Sequence, residues 1–196
     1  MKKIIHEALE AGIVLRKQCL NVLDDDLLQA AEVMVSCLRH DGKILVCGNG
    51  GSASDAQHFV AELVNRFEIN RPALAAFAMV NDASVITSIS NDFSFNSIFA
   101  RQTEALGRKG DVLLGISTSG HSKNVIQAVT KAQAIGMDVI VLTGKDGGEL
   151  GQHPSVTVSI NINHSSTARV QEMHITCLHI LCSLIDETMF GSERES

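Results

Sequence analysis

Residues 43–62 read KILVCGNGGSASDAQHFVAE, and this stretch restricts the fold more than any other. A short apolar run, Ile44-Leu45-Val46-Cys47, stops at a glycine-rich polar turn, and a helical pattern carrying His58 and Glu62 follows. Strand, tight turn and helix in that order form a βα unit, which commits the strand to a parallel sheet with helices across its faces. The rhythm recurs. Runs at 43–47, 74–79, 111–116, 138–143 and 155–160 read as strands, and helical patterns fall at 52–66, 83–105 and 122–136. Two helices are predicted ahead of them, over 3–23 and 25–40, with Asp24-Asp25-Asp26 at the positive end of the second. A long helix over 166–190 closes the chain. The expectation is an α/β fold, a three-layer αβα sandwich around a mainly parallel five-stranded sheet. Without a repeat, low-complexity segment or linker, residues 1–196 read as a single domain.

Apolar residues make up 45% and charged residues 19% of the 196, enough for a core without disulfides. The absence of Trp and Tyr and a net charge of −6 argue against a nucleic-acid surface, which needs stacking rings and clustered cations. An anionic ligand must therefore be held by local dipoles and hydroxyls. Cys19, Cys37, Cys47, Cys177 and Cys182 form no C-x-x-C pair and read as reduced, mostly buried thiols. MKKIIHEALEAG lacks the apolar core of a signal peptide, and no run has the length of a membrane span, so a cytoplasmic protein is expected. In the closing helix Val170, Ile175, Leu178, Ile180, Leu181, Leu184, Ile185, Met189 and Phe190 spread widely around the wheel. Both terminal helices read as too apolar for single-faced packing, which points to association of copies with C2 or D2 symmetry.

Four segments carry chemistry. In GNGGSASD (48–55), Gly48-x-Gly50-x-x-Ala53 matches the dinucleotide fingerprint only weakly, because the sole acidic candidate, Glu68, precedes its strand. The turn does offer backbone N–H groups and the Ser52 and Ser54 hydroxyls at a helix start, a natural oxyanion site. GISTSGHSKN (115–124) also follows an apolar strand and nearly matches a P-loop, with His121 where lysine belongs. Its hydroxyls, Ser117, Thr118, Ser119 and Ser122, suit a single phosphate ester. The alternative is a well-capped helix with Ser119 or Ser122 as the cap.

His58 and Glu62 share one helix face at i, i+4, a spacing open to metal binding, acid–base work or a plain ion pair. Gln171, His174 and His179 interrupt the apolar closing helix, and buried polar groups there need partners. Gln171 and His179 are separated by about 12 Å of helical rise, so one ligand reaches both only through inward-leaning side chains or across protomers. Asn91-Asp92 is a further polar pair beside a helix, and by itself a turn signal.

Taken together, CGNGGSASDAQHFVAEL, NRP, SNDFSFN, GDVLLGISTSGHS, LTGKDGG and ARVQEMH followed by His179 resemble the sugar isomerase (SIS) domain, and within it the phosphoheptose isomerase family. The resemblance spans about Gly42 to Asp186. It implies an aldose–ketose isomerase converting sedoheptulose 7-phosphate into D-glycero-D-manno-heptose 7-phosphate through an enediol(ate), for the heptose of lipopolysaccharide cores. Position by position it implies substrate contacts from Asn49, Gly50, Gly51, Glu62, Asn91, Asp92 and Gln171. Phosphate would be held by Ser117, Thr118, Ser119 and Ser122. His58, Glu62, Gln171 and His179 would match the ligands of one zinc ion per subunit, with Glu62 the base and His179 the acid. A carboxylate that binds zinc is a weaker base, which leaves two roles for the metal, Lewis acid or organiser of the site.

The resemblance further implies a homotetramer with sites at subunit contacts, helices 1–40 packing on the core and on neighbouring subunits, and no membrane or nucleic-acid partner. Two positions depart from the family pattern: Ser90 stands for the usual Gly before Asn-Asp, and His121 for Asn or Lys in the serine loop. A related SIS tetramer of another class binds a replication initiator protein without turnover. Arg66-Phe67-Glu68, Leu184-Ile185-Asp186 followed by Thr and Phe, and a short polar tail are shared with it. The presence of both Glu62 and His179 favours the enzyme. A sugar-phosphate-sensing regulator is the third reading, and no DNA-binding motif accompanies it.

Overall fold

The computed structural model describes residues 1–191, so the polar tail lies outside the described residues. β1 (Ile44–Gly48) lies between β2 (Ala76–Ala78) and β3 (Val112–Ser117). β4 (Asp138–Gly144) and β5 (Val158–Ile162) extend the sheet beyond β3, giving the order β2-β1-β3-β4-β5 with every pair parallel. The connection reverses direction between β1 and β3, and in open α/β sheets ligands bind in the crevice outside the strand ends at such a switch.

Among the described residues eight α-helices cover the sheet: α1 (Lys2–Cys19), α2 (Asp24–Arg39), α3 (Gly51–Val64), α4 (Ala83–Asp92), α5 (Ile98–Leu106), α6 (Lys123–Ile135), α7 (Gly148–Gly151) and α8 (Thr167–Phe190). The strand pleat sorts the core into two. Ile44, Val46, Leu114 and Ile140 pack with α1, α2, α3 and α8 on one face. Leu45, Cys47, Leu113 and Val141 pack with α4, α5 and α6 on the other. The result is the three-layer αβα sandwich, with a fully parallel sheet of five strands.

Three expectations shift. The helix expected over 83–105 is broken into α4, a 3₁₀ turn (Phe95–Ser97) and α5. Asp82 caps the start of α4 through Val85 N–H, and Ser94 adopts an extended backbone with its hydroxyl on Ser97. Short polar side chains that bond locally compete with helix, and SNDFSFNS is dense in them. The last strand begins at Val158 rather than 155, because Ser155 and Val156 N–H groups are bound in a turn on His153.

The third shift concerns the terminal helices. Much of α8 is covered within its own chain, where Val170, Leu178, Leu181 and Ile185 are buried between α2, α3 and the sheet, while Ile180 stays 38% exposed. The apolar excess lies instead on α1, where only Leu15 is buried while Ile5, Leu9 and Ile13 are 58%, 65% and 46% exposed. Among the described residues no helix is long and apolar enough to cross a membrane. All five cysteines are free thiols.

Candidate active site

α3 and α8 run side by side in the same direction and carry the titratable groups. At their first level Gly51, opening α3, lies under the Gln171 amide, and any side chain at position 51 would collide with it. Gly50, just before, sits at φ +57°, a conformation that favours glycine and turns β1 sharply into α3. Two turns on, His58 of α3 meets His179 of α8, with Nε2 atoms 3.1 Å apart and ring centroids at 5.0 Å. Glu62 Oε1 lies 3.0 Å from the same His58 Nε2, and Phe67 stacks on the other side of the His179 ring at 5.4 Å.

That geometry is frustrated without a cation. A proton on His58 Nε2 can serve Glu62, or a proton on His179 Nε2 can serve His58, but one proton cannot give both contacts good geometry. Two imidazoles and a carboxylate are ordinary zinc donors, and tetrahedral Zn–N bonds near 2.0–2.1 Å put neighbouring ligand atoms about 3.3 Å apart. The donor set fits the metal in chemistry, and its two contacts at His58 fit in spacing. Glu62 and His179 make no direct contact, and among the described residues no three His, Cys, Asp or Glu side chains close into a metal centre by themselves. Gln171 remains at the level of Gly51, about 12 Å of helical rise from His179.

The second candidate element is the loop between β3 and α6. Ser122 occupies the N-cap of α6, yet its hydroxyl makes no capping bond and instead meets Ser117 Oγ at 2.9 Å. Ser119 Oγ lies 3.4 Å from Ser117 Oγ and accepts the His121 N–H at 3.2 Å. The hydroxyls thus gather around the helix start rather than closing it. Thr118 is half-buried beside them, and the His121 side chain is exposed. Gathered hydroxyls at the positive end of a helix make a neutral seat for a phosphoryl group.

A SIS domain model matches residues 9–144. A phosphoheptose isomerase of Shewanella sediminis is 47% identical over 196 residues, the full length of both chains. The chain belongs to the phosphoheptose isomerase family. Solved structures agree. The phosphoheptose isomerase GmhA of Neisseria gonorrhoeae superposes with a TM-score of 0.89 at 45% identity, covering 95% of this chain and 98% of that one. A phosphoheptose isomerase of Francisella tularensis gives 0.90 at 41%, covering 94% and 97%. The initiator-binding alternative gains no support from these relatives.

Within this member of the phosphoheptose isomerase family, several groups escape a reading of sequence alone. Asn124, buried at the start of α6, exchanges side-chain hydrogen bonds with Asn49. Asp55, one turn before His58, has a buried Oδ2 without a hydrogen-bond partner; desolvation raises its pKa, and the nearby His58 works against that rise. Its i, i+3 spacing from His58 was the available signal. Asn91 and Asp92 close α4 on the surface and bond to each other at 2.9 Å, with no side-chain bond to the serine loop or to His58. A cavity of about 770 Å³ runs along α1 between Leu9, Ile13 and His164, and none of these groups lines it.

Proposed function

We propose that the protein is a phosphoheptose isomerase that converts sedoheptulose 7-phosphate into D-glycero-D-manno-heptose 7-phosphate through an enediol or enediolate. The observation that carries this reading is the Glu62–His58–His179 chain of contacts on α3 and α8, together with the serine hydroxyls gathered at the start of α6 and not spent on capping it. In this reading Glu62 takes a proton from C1 of the open-chain ketose and returns it to C2. His179 exchanges protons with the O1 and O2 oxygens. Ser117, Thr118, Ser119 and Ser122 hold the phosphoryl group, so the reacting carbons are presented in register. Asn49, Gly50 and Gly51 line the sugar with Asn91, Asp92 and Gln171.

A zinc ion, one per subunit, would be held by His58, Glu62, Gln171 and His179, and would polarise the substrate carbonyl as a Lewis acid. The exposed apolar face of α1 supports a homotetramer whose subunits share sites, and five free thiols suit a cytoplasmic enzyme. The deciding experiment is an isomerase assay on sedoheptulose 7-phosphate with and without a chelator. Formation of the heptose 7-phosphate is expected, and its absence from zinc-loaded protein overturns the assignment.

A further inference from the structure

Arg71 lies in the link between α3 and β2, and its side chain is fully buried. Its guanidinium donates to four acceptors. Nε reaches Asp186 Oδ1 on α8 at 2.7 Å, and one terminal nitrogen reaches Leu63 O at 2.8 Å and Pro72 O at 3.0 Å. The other reaches Glu62 O at 2.8 Å. The last carbonyls of a helix have no partner within it, and a cation there also meets the negative end of the helix dipole. Arg71 therefore caps α3 at Glu62 itself while gripping α8.

Asp186 lies seven residues after His179, two helical turns along one face. The two parallel helices are thus joined at the level of Gly51 and Gln171, at His58 and His179, and by the guanidinium fork between the Glu62 carbonyl and Asp186. A buried ion pair is a poor source of stability by itself, since apolar residues of similar volume often serve as well. What apolar residues cannot supply is a planar fork fixing three carbonyls and a carboxylate in one geometry.

We propose that Arg71 is a positioning residue that sets the placement of Glu62 on α3 relative to His179 on α8. The inference rests on the reading of that pair as base and acid. Misplacing a reacting group by about 1 Å costs on the order of 100-fold in rate. The phosphate seat lies on another loop, so binding is spared.

The test replaces both charges with apolar groups, Arg71→Met with Asp186→Leu, and compares melting, kcat and KM on sedoheptulose 7-phosphate with the unaltered protein. A cooperative melt, unchanged KM and a kcat lower by roughly 10- to 100-fold is the expected result. Full kcat in the folded double variant overturns the proposal. If that variant does not fold, Arg71→Lys retains the charge without the fork; lower kcat at unchanged KM supports the proposal, and unchanged kcat overturns it. Failure of both to fold makes Arg71 a folding residue only and likewise overturns it. Absence of turnover in the unaltered protein would instead remove the assigned function, so the two failures are distinct.

Discussion

Asn49 and Asn124 exchange two side-chain hydrogen bonds, of 2.9 and 2.8 Å, across the crevice between the ends of β1 and β3. Each amide is occupied by the other, so the glycine-rich turn and the first turn of α6 are held at a fixed spacing. Asn49 keeps one amide N–H and one oxygen lone pair, besides its backbone, for any ligand contact. Asn124 Oδ1 also accepts the Val125 N–H at 3.0 Å, which leaves the pair with little freedom to rotate.

The pair should be energetically coupled. Asn49→Ala, Asn124→Ala and the double variant, compared by urea unfolding, should give an interaction energy of about 1 kcal/mol. Strict additivity would mean the two loops are held independently.

Glu62→Gln keeps size and helix propensity but removes the base. Turnover of sedoheptulose 7-phosphate should fall by roughly 10²–10⁴-fold with circular dichroism unchanged. His179→Ala should lower kcat on a similar scale, and a change confined to KM would reduce its role to binding.

His174 predicts acid sensitivity unrelated to catalysis. It is fully buried, with Nε2 2.9 Å from Thr143 O and Nδ1 without a partner. Burial pushes its pKa from 6.5 down to about 4, only partly opposed by the bond to Thr143. The folded protein thus keeps a neutral ring that the unfolded chain protonates. Stability is fully present above pH 6.5 and is lost as pH falls toward 4, by about 3 kcal/mol in all. Denaturant midpoints at pH 7, 6 and 5 should decline, and His174→Gln should flatten the decline above pH 5, where most carboxylates remain ionised.

Leu9→Glu combined with Ile13→Glu places charge on the exposed stripe of α1. Sedimentation should show smaller species than the unaltered protein, with the far-ultraviolet spectrum retained. An unchanged sedimentation coefficient would move the subunit contact elsewhere.

The sheet and most helices were legible because apolar runs broken by Gly and Asp carry their own period. The strand-to-helix turns bearing His58, Glu62 and the four hydroxyls were legible for the same reason: their chemistry is local in sequence. What could not be read is nonlocal. Asn124 finds Asn49 across 75 positions, and Arg71 finds Asp186 across 115. A residue's spacing says nothing of a partner that only the fold supplies. The break after Asp92 was hidden because SVITSIS has a helical period right up to it. How much of α8 its own chain covers was not legible either, because an apolar wheel does not distinguish a neighbouring subunit from a neighbouring helix.

Burial raises the pKa of every thiol in the chain, to about 12 at Cys47, Cys177 and Cys182 and to about 11 at Cys37, with Cys19 also shifted upward. The nucleophilic form is the thiolate, which is therefore nearly absent near neutrality. Thiol-directed reagents at neutral pH should therefore react slowly with this chain, and its activity should depend little on reductant.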